Sequence, residues 1–160
     1  DAEIVTSKRR EPIGEMMKKS HCRLVEEDEI VTEIRIPASA RDYRIGYDKF
    51  RVRDSHDFAV VSVASAYKVQ DGVVTDARIV LGAVAPIPLR AKEAEAYITG
   101  KAVTGELAAE AAEIALQGAL PLSKNGYKVQ IARTLVRDSL LNARTPQRSE
   151  DSGADAQLMT

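Results

Sequence analysis

Cysteine is nearly absent from this chain of 160 residues, which contains Cys22 and no other. A single thiol cannot form an internal disulfide, and it cannot supply the four thiolates of a structural zinc site or an iron–sulfur cluster. Histidine is scarce as well, since only His21 and His56 are present, and adjacent side chains at positions 21 and 22 would point apart in a strand. The sequence therefore predicts no metal site, and its lack of disulfides is typical of a cytoplasmic protein.

Clustered glycines are also missing from the sequence. It has nine glycines, and no two of them are adjacent or separated by a single residue. Walker loops and dinucleotide-binding loops need such clusters, because their backbone amides must approach a pyrophosphate closely. The sequence therefore predicts that this chain does not build a phosphate cradle by itself.

The sequence also has few aromatic residues, no excess of basic residues and no long apolar run. Aromatics make up 4% of the chain and tryptophan is absent, so Val, Ile, Leu and Ala are expected to form the core. Lys and Arg number 23 against 24 Asp and Glu, whereas a nucleic-acid partner would need a basic excess. No apolar run approaches the roughly 20 residues of a membrane span or the pattern of a signal peptide. Because residue 1 is Asp, we expect a processed chain or a piece of a longer polypeptide.

The clearest local signal is a β-hairpin. Two runs rich in β-branched residues, at 58–69 and 73–84, are separated by Gln70, Asp71 and Gly72. An Asp-Gly pair between such runs is a strong hairpin signal, because both residues tolerate the left-handed backbone of a tight turn. One face of the second run is expected to be buried, and its members are Val73, Thr75, Ala77, Ile79, Leu81 and Ala83.

Further strands are expected on either side of a short helical stretch near the N-terminus. Residues 2–6 are β-prone, and residues 12–19 could form one or two helical turns. Residues 29–36 alternate apolar and polar side chains up to Pro37, which is the strand period. Residues 44–53 are a plausible third strand beside the hairpin, and Pro86 and Pro88 are expected to end the sheet.

Helical periodicity replaces the strand pattern after Pro88. A first helix is expected at 91–99, ended by Gly100, and a second should begin after Thr104 as its N-cap. Ser123 or Asn125 is expected to cap a third helix that runs to about residue 143, and residues 145–160 look like a polar tail. Strands followed by helices indicate an α+β fold, a small antiparallel sheet covered on one face by helices.

A cationic run lies within the expected third strand. Lys49, Arg51 and Arg53 fall within five residues, which is most often a solvated edge. The alternative is a cation beside an electron-accepting ligand, because a fixed positive charge stabilises the negative charge that a flavin ring gains on reduction. Asp57, which follows His56 before a strand, is explained either by turn capping or by a role in such a site.

Three stretches in this order and spacing resemble one family. They are EIVTEIRIP at 29–37, YDKFRVRDSHDFAVVSVA at 47–64 and DGVVTDARIVLGAVAPIPLRA at 71–91. They are similar to the FAD-binding medium subunit of the molybdenum hydroxylases, the family of xanthine dehydrogenase and carbon monoxide dehydrogenase. The helical remainder is also similar, and only the C-terminal portion of the family is covered.

The resemblance implies a division of the chain. Residues 1–40 would be the C-terminal end of an FAD-binding α/β domain, residues 41–144 the separate C-terminal domain of the subunit, and residues 145–160 a polar tail. That domain is expected to be a three-stranded antiparallel sheet packed against a helical bundle. The glycine-rich pyrophosphate loops of the family lie upstream of this sequence, which would explain why they are missing here.

The resemblance also implies a set of flavin-site residues. The end of the EIVT-type strand lies against the flavin in the family, and Lys49 matches a lysine that approaches the isoalloxazine ring. His56 stands where some members carry an acidic or aliphatic residue, so the electron acceptor stays open. The cofactor-binding residues expected on this basis are Ile30, Val31, Lys49, Arg53 and Asp57.

The function implied by the resemblance is electron relay in a multi-subunit oxidoreductase. A large molybdopterin-binding subunit would hydroxylate the substrate, and a small subunit with 2Fe-2S clusters would pass electrons to FAD and on to an external acceptor. FAD would be held mainly by the upstream half of the FAD domain, so this chain would not be active alone. The alternative is a docking or assembly module of the same kind of complex that no longer binds flavin, which the missing glycine loops favour.

Overall fold

The computed structural model describes residues 1–18, 25–53 and 56–143. The positions of His21 and Cys22 and the tail expected at residues 145–160 lie outside these ranges. Among the described residues, no helix is both long and apolar enough to cross a membrane. The described ranges also hold no group of three or more His, Cys, Asp or Glu side chains that could bind a metal ion.

The first part of the chain forms a small antiparallel sheet, which we call the N-terminal sheet. Its strands are β1 (Glu3–Thr6), β2 (Arg10–Pro12) and β3 (Val31–Arg35), in the order β2-β1-β3. Helix α1 (Ile13–Lys18) follows β2 and buries Met16. A one-turn 3₁₀ helix (Ala38–Asp42) then leads into the second part of the chain.

The second part forms a larger antiparallel sheet, the main sheet, covered by helices. Its strands are β4 (Arg44–Phe50), β5 (Val61–Gln70), β6 (Val73–Gly82) and β7 (Leu89–Arg90), in the order β4-β5-β6-β7. Helices α2 (Lys92–Ile98), α3 (Gly105–Ala115) and α4 (Tyr127–Asn142) follow in sequence. Helices α2 and α4 pack on β6 and β5, and α3 packs between those two helices, so the predicted α+β class is confirmed.

The β5–β6 hairpin turns where the sequence predicts it. Gln70 pairs with Val73, which leaves Asp71 and Gly72 as a two-residue loop with φ angles of 50° and 78°. Two successive positive φ angles match the right-handed twist of the strands on either side. The Asp-Gly pair therefore sets the register of the long central hairpin.

The core lies between the main sheet and the three helices. It combines small alanines on the helices with larger aliphatic side chains on the strands, so that the layers approach closely. Full burial of an Ile, Leu or Val side chain stabilises the fold by about 1.5–3 kcal/mol. The largest fully buried side chains here include Tyr67, Ile79, Leu81, Ile98, Leu140, Val61 and Val136.

Three local expectations need correction. The pairing of β5 with β6 shifts register between Lys68 and Val69. This bulge reverses the alternation of faces in the part of β6 next to the turn, so Val74 is buried there instead of Val73 or Thr75. The prolines do not end the sheet, since β7 pairs with β6 beyond Pro88 and adds a short fourth strand to the three expected. Neither Ser123 nor Asn125 caps α4, which begins after Gly126 without a side-chain cap.

The cap expected for α3 is confirmed. Thr104 lies at the N-cap in an extended conformation, and its hydroxyl accepts a hydrogen bond of 3.0 Å from the backbone N–H of Leu107. Glu106 lies in the first turn, where its charge complements the positive end of the helix dipole. The start of α3 is therefore determined by local chemistry that the sequence displays.

Candidate functional site

One face of the main sheet is left without a helical cover, and we call it the outer face. Partners in an antiparallel sheet lie on the same side, so the register defines the rows of this face. One row is Lys49, Ser62 and Gly82, and the next is Tyr47, Ala64, Val80 and Arg90. The opposite side of the same strands carries the buried residues of the core.

Small side chains make the middle of the outer face a flat floor. Ser62, Ala64 and Ala66 follow one another along this side of β5, and Gly82 lies beside Ser62 on β6. A Cβ atom at Gly82 would lie 2.4 Å from the Ser62 hydroxyl oxygen, so a larger residue does not fit there without movement. A flat floor of this kind suits a planar ring better than a flexible chain.

Larger side chains rise from the edge strand β4 at the border of this floor. Ile45 and Tyr47 are 63% and 65% exposed, and Lys49 is also exposed. All three belong to the same side of β4 because of the period of two in a strand. An apolar residue, an aromatic ring and a cation therefore stand in line along one edge of the floor.

Lys49, Arg53 and Asp57 are brought together at the end of β4. The Lys49 Nζ donates a hydrogen bond of 2.9 Å to the backbone oxygen of Asp57. The Arg53 Nε lies 3.0 Å from the Asp57 carboxylate, which also accepts from the Phe58 N–H at 2.9 Å. We call these three residues the basic cluster.

The electrostatics of the basic cluster favour a bound anion. The Asp57 carboxylate accepts a hydrogen bond from Arg53 and a second one from the Phe58 N–H. Both bonds lower the pKa of the Asp57 carboxyl, the first of them more strongly, so this carboxyl stays ionised at neutral pH. Two cations and one carboxylate leave a net positive charge beside the floor. The Asp57 bond to the next N–H is also the turn capping that the sequence offered as an explanation, so Asp57 serves the loop in either case.

Ile30 and Val31, the other two residues predicted for the site, lie on the N-terminal sheet. Val31 is the first residue of the edge strand β3, and Ile30 precedes it. Ile30 is 70% exposed and Val31 is 44% exposed. They therefore offer free apolar surface on a different sheet from the basic cluster, and they play no part in its polar contacts.

The residues of the outer face suit the ring end of a flavin cofactor and not its pyrophosphate end. A floor of small residues with an exposed tyrosine and lysine at its border matches a planar ring that gains negative charge. A pyrophosphate has no such match, since the sequence lacks clustered glycines. At the start of α3, the backbone N–H of Leu107 is already bonded to the Thr104 hydroxyl.

Tyr47 is the residue that the sequence argument missed. It lies two positions before Lys49 on β4 and faces the same side, and it is largely exposed. The signal was available, because a strand at 44–53 places residues 47 and 49 on one face. What the sequence did not show is which face the helices would leave open.

Comparison with known proteins identifies the family of this chain. The family model of the CO dehydrogenase flavoprotein C-terminal domain matches residues 46–143, which is more than half of the chain. The chain belongs to this family. The resemblance drawn from the three sequence stretches is therefore confirmed.

The curated relatives are chains of dehydrogenases. This chain is 31% identical over 125 residues to the carbon monoxide dehydrogenase medium chain of Hydrogenophaga pseudoflava. The alignment covers 76% of this chain and 43% of the relative. It is 31% identical over 111 residues to the glyceraldehyde dehydrogenase medium chain of Sulfolobus acidocaldarius, covering 67% and 39%. The chain thus spans less than half the length of the curated relatives that it matches.

Solved structures of this family share the fold. Quinoline 2-oxidoreductase from Pseudomonas putida 86 matches with a TM-score of 0.77 and 27% identity. Carbon monoxide dehydrogenase from Hydrogenophaga pseudoflava, in a form lacking the Mo-pyranopterin moiety of the molybdenum cofactor, matches with a TM-score of 0.76 and 32% identity. Both matches cover 89% of this chain and 52% of the other, so the shared fold includes most of the chain.

Proposed function

We propose that this chain is the C-terminal part of the FAD-carrying subunit of a molybdenum hydroxylase, and that its outer face holds the ring end of the flavin. Family membership supports this type of subunit, because the family model describes the C-terminal domain of a flavoprotein. One solved relative is a carbon monoxide dehydrogenase described by its molybdenum cofactor, from which the Mo-pyranopterin moiety is missing in that form. The observation that carries the site is the flat floor of the outer face, bordered by Tyr47 and the basic cluster.

Lys49 is the residue that we propose acts on the flavin. Its ammonium has three donor hydrogens, and the Asp57 backbone oxygen takes only one of them. The remaining two can reach a carbonyl or an anionic nitrogen of a ring lying on the floor. A positive charge held there favours the reduced, more negative ring, which makes the flavin a better electron acceptor.

The other residues are proposed to seat and enclose the ring. Tyr47 offers an exposed aromatic face for stacking, and aromatic pairs contribute about 0.5–1.5 kcal/mol beyond the area they bury. Arg53 holds Asp57, whose backbone oxygen accepts from Lys49 and so positions its ammonium group. Ile30 and Val31 would supply apolar contacts from the N-terminal sheet.

The proposed role is relay of electrons and not bond formation on a substrate. Bound FAD would supply the capacity to store two electrons and release them to an external acceptor. A large subunit with the molybdenum cofactor and a small subunit with 2Fe-2S clusters would be the partners, and upstream sequence would hold the rest of FAD. On this proposal residues 1–40 complete the FAD domain, and residues 41–144 form the C-terminal domain.

Substitution of Lys49 in the purified molybdenum hydroxylase complex that contains this chain tests the flavin site. In Lys49→Gln the reduced flavin loses a stabilising charge, so the flavin midpoint potential should fall by on the order of 20 mV or more. Lys68→Gln is the matched control, because Lys68 is an outer-face lysine of the same sheet that pairs with Asp42 away from the basic cluster. Redox titration of the flavin in both variants makes the measurement.

Two results would contradict the proposal in different ways. An unchanged potential in Lys49→Gln would show that the lysine does not approach the ring. A purified complex that contains this chain and no flavin would favour the alternative, a docking module that has lost the cofactor.

A further inference from the structure

A set of charged side chains joins the N-terminal sheet to the main sheet. The carboxylate of Asp1, two residues before β1, lies 2.9 Å from Arg78 Nε on β6 and 2.9 Å from Arg90 Nη1 on β7. Arg78 lies in the middle of β6, and Arg90 ends β7. Ion pairs and hydrogen bonds link six side chains here, which we call the junction network: Asp1, Tyr43, Asp76, Arg78, Arg90 and Glu95.

The Arg90 end of the junction network is anchored in the core. Glu95 on α2 is 7% exposed, and its carboxylate accepts from Arg90 Nε at 2.9 Å. The same carboxylate accepts from the backbone N–H of Ile79 at 2.8 Å. Arg90 therefore has a fixed position, and Asp1 is held against a rigid part of the fold.

The Arg78 end holds the connection between the two sheets. The Arg78 Nη1 contacts the Asp76 carboxylate and donates to the Ala77 backbone oxygen at 2.7 Å. The Tyr43 hydroxyl donates to the other oxygen of Asp76, and the guanidinium lies 5.9 Å from the centre of the Tyr43 ring. Tyr43 immediately precedes β4, so the network fixes both the start of β1 and the segment that leads into β4.

The junction network stands on the outer face itself. Arg78 shares a row with Ala66 and Ile45, and Arg90 shares the row of Ala64 and Tyr47. The arginines thus lie on the side of β6 and β7, whereas Lys49 and Tyr47 border the opposite side on β4. Asp1 brings the first strand of the N-terminal sheet to this face.

We propose that Arg78 is a positioning residue that sets how the N-terminal sheet is held against the outer face, and so sets the spacing of the flavin site. This inference rests on the proposed function, because it takes Ile30 and Val31 on one sheet and Lys49 on the other as walls of one site. Arginine is needed because its planar fork serves Asp1, Asp76 and the Ala77 oxygen together. A lysine keeps the charge but has a single nitrogen.

The test uses the purified molybdenum hydroxylase complex that contains this chain, with the substitution Arg78→Lys, which preserves the net charge. Visible circular dichroism of the bound flavin reports the geometry around the ring, and quenching of its fluorescence by acrylamide, which is uncharged, reports its access to solvent. We expect a changed flavin spectrum, a larger quenching constant and about threefold weaker FAD binding. Arg137→Lys is the control, since Arg137 on α4 pairs with its neighbour Asp138.

A second variant protects the test against misfolding. Asp1→Asn removes the negative charge that pairs with Arg78 and Arg90 while leaving Arg78 bonded to Asp76, and it should change the spectrum and quenching in the same direction. The effects of the two substitutions should add to less than their sum in the double variant, because both act on the Asp1–Arg78 contact, although Asp1→Asn also weakens the contact with Arg90. Unchanged spectra and quenching in Arg78→Lys and Asp1→Asn would overturn the inference.

Failure of this inference is distinguishable from failure of the proposed function. If Lys49→Gln alters the flavin potential while Arg78→Lys leaves the flavin spectrum unchanged, the site stands and the positioning role is wrong. If neither variant affects the flavin, both the site and the positioning role are wrong.

Discussion

At the scale of single residues, Tyr67 shows how the core accepts a polar group. Its ring is 1% exposed, and its hydroxyl lies 2.9 Å from the Ser139 hydroxyl on α4. The Ser139 hydroxyl in turn donates to the Val136 backbone oxygen at 2.8 Å. Burial raises the pKa of Tyr67 to about 12, because a phenolate would lose its hydration.

A pH-dependent stability follows from this raised pKa. The phenol of an unfolded chain ionises near pH 10, so the contribution of Tyr67 is complete below that pH and is lost as the pH rises toward 12. Between pH 9 and pH 11 the free energy of unfolding should fall by about 1 kcal/mol more in the wild type than in Tyr67→Phe. Urea unfolding at several pH values measures this, and parallel curves for the two proteins would contradict it.

At the scale of elements, the strands and helices follow local chemistry where the chemistry is strong. The Asp-Gly turn and the Thr104 cap were both read from the sequence, since each depends on residues within a few positions of one another. The bulge near Val69 and the short strand β7 were missed. Their cause is pairing between strands, and no local pattern in either segment encodes that pairing.

Two glycines allow an element-level test in which the same substitution has opposite effects. Gly72 has a φ of 78° in the hairpin turn, so Gly72→Ala should destabilise the fold by about 1 kcal/mol or more. Gly105 opens α3, and Gly105→Ala should stabilise it by about 0.4–1 kcal/mol. A Cβ would have open space at both positions, so only the backbone differs. Thermal unfolding compares them, and an equal shift of the same sign would contradict the argument.

At the scale of the whole molecule, seven of the exposed large apolar residues fall between residues 30 and 50. They lie on or beside β3 and on β4. Exposed apolar side chains in this number are candidates for contact with other protein. The exposed residues are Ile30, Val31, Ile34, Ile36, Ile45, Tyr47 and Phe50.

Native mass spectrometry of the purified material tests the assembly. We expect the polypeptide that carries this sequence to travel with larger and smaller subunits and with one FAD, identified after its release. The reason is the proposed function, in which upstream sequence holds the rest of FAD and two further subunits are the partners. A chain that runs alone and colourless would mean that the site residues reflect ancestry and not present binding.

The sequence by itself determined the α+β class, the central hairpin, the cap of α3 and the family. Each of these depends on neighbouring residues, on periodicity or on an ordered set of motifs, and such signals are local. It also indicated Lys49, Arg53 and Asp57, which lie within nine positions and do meet in the structure.

Only the tertiary structure decided which face of the main sheet the helices leave open, and therefore that Tyr47 and Lys49 border the same floor. It also brought Asp1 to Arg78 across 77 positions of the chain. Contacts of that separation depend on how whole sheets pack against each other. No local propensity specifies them, because the residues that meet carry no signal of each other in the sequence.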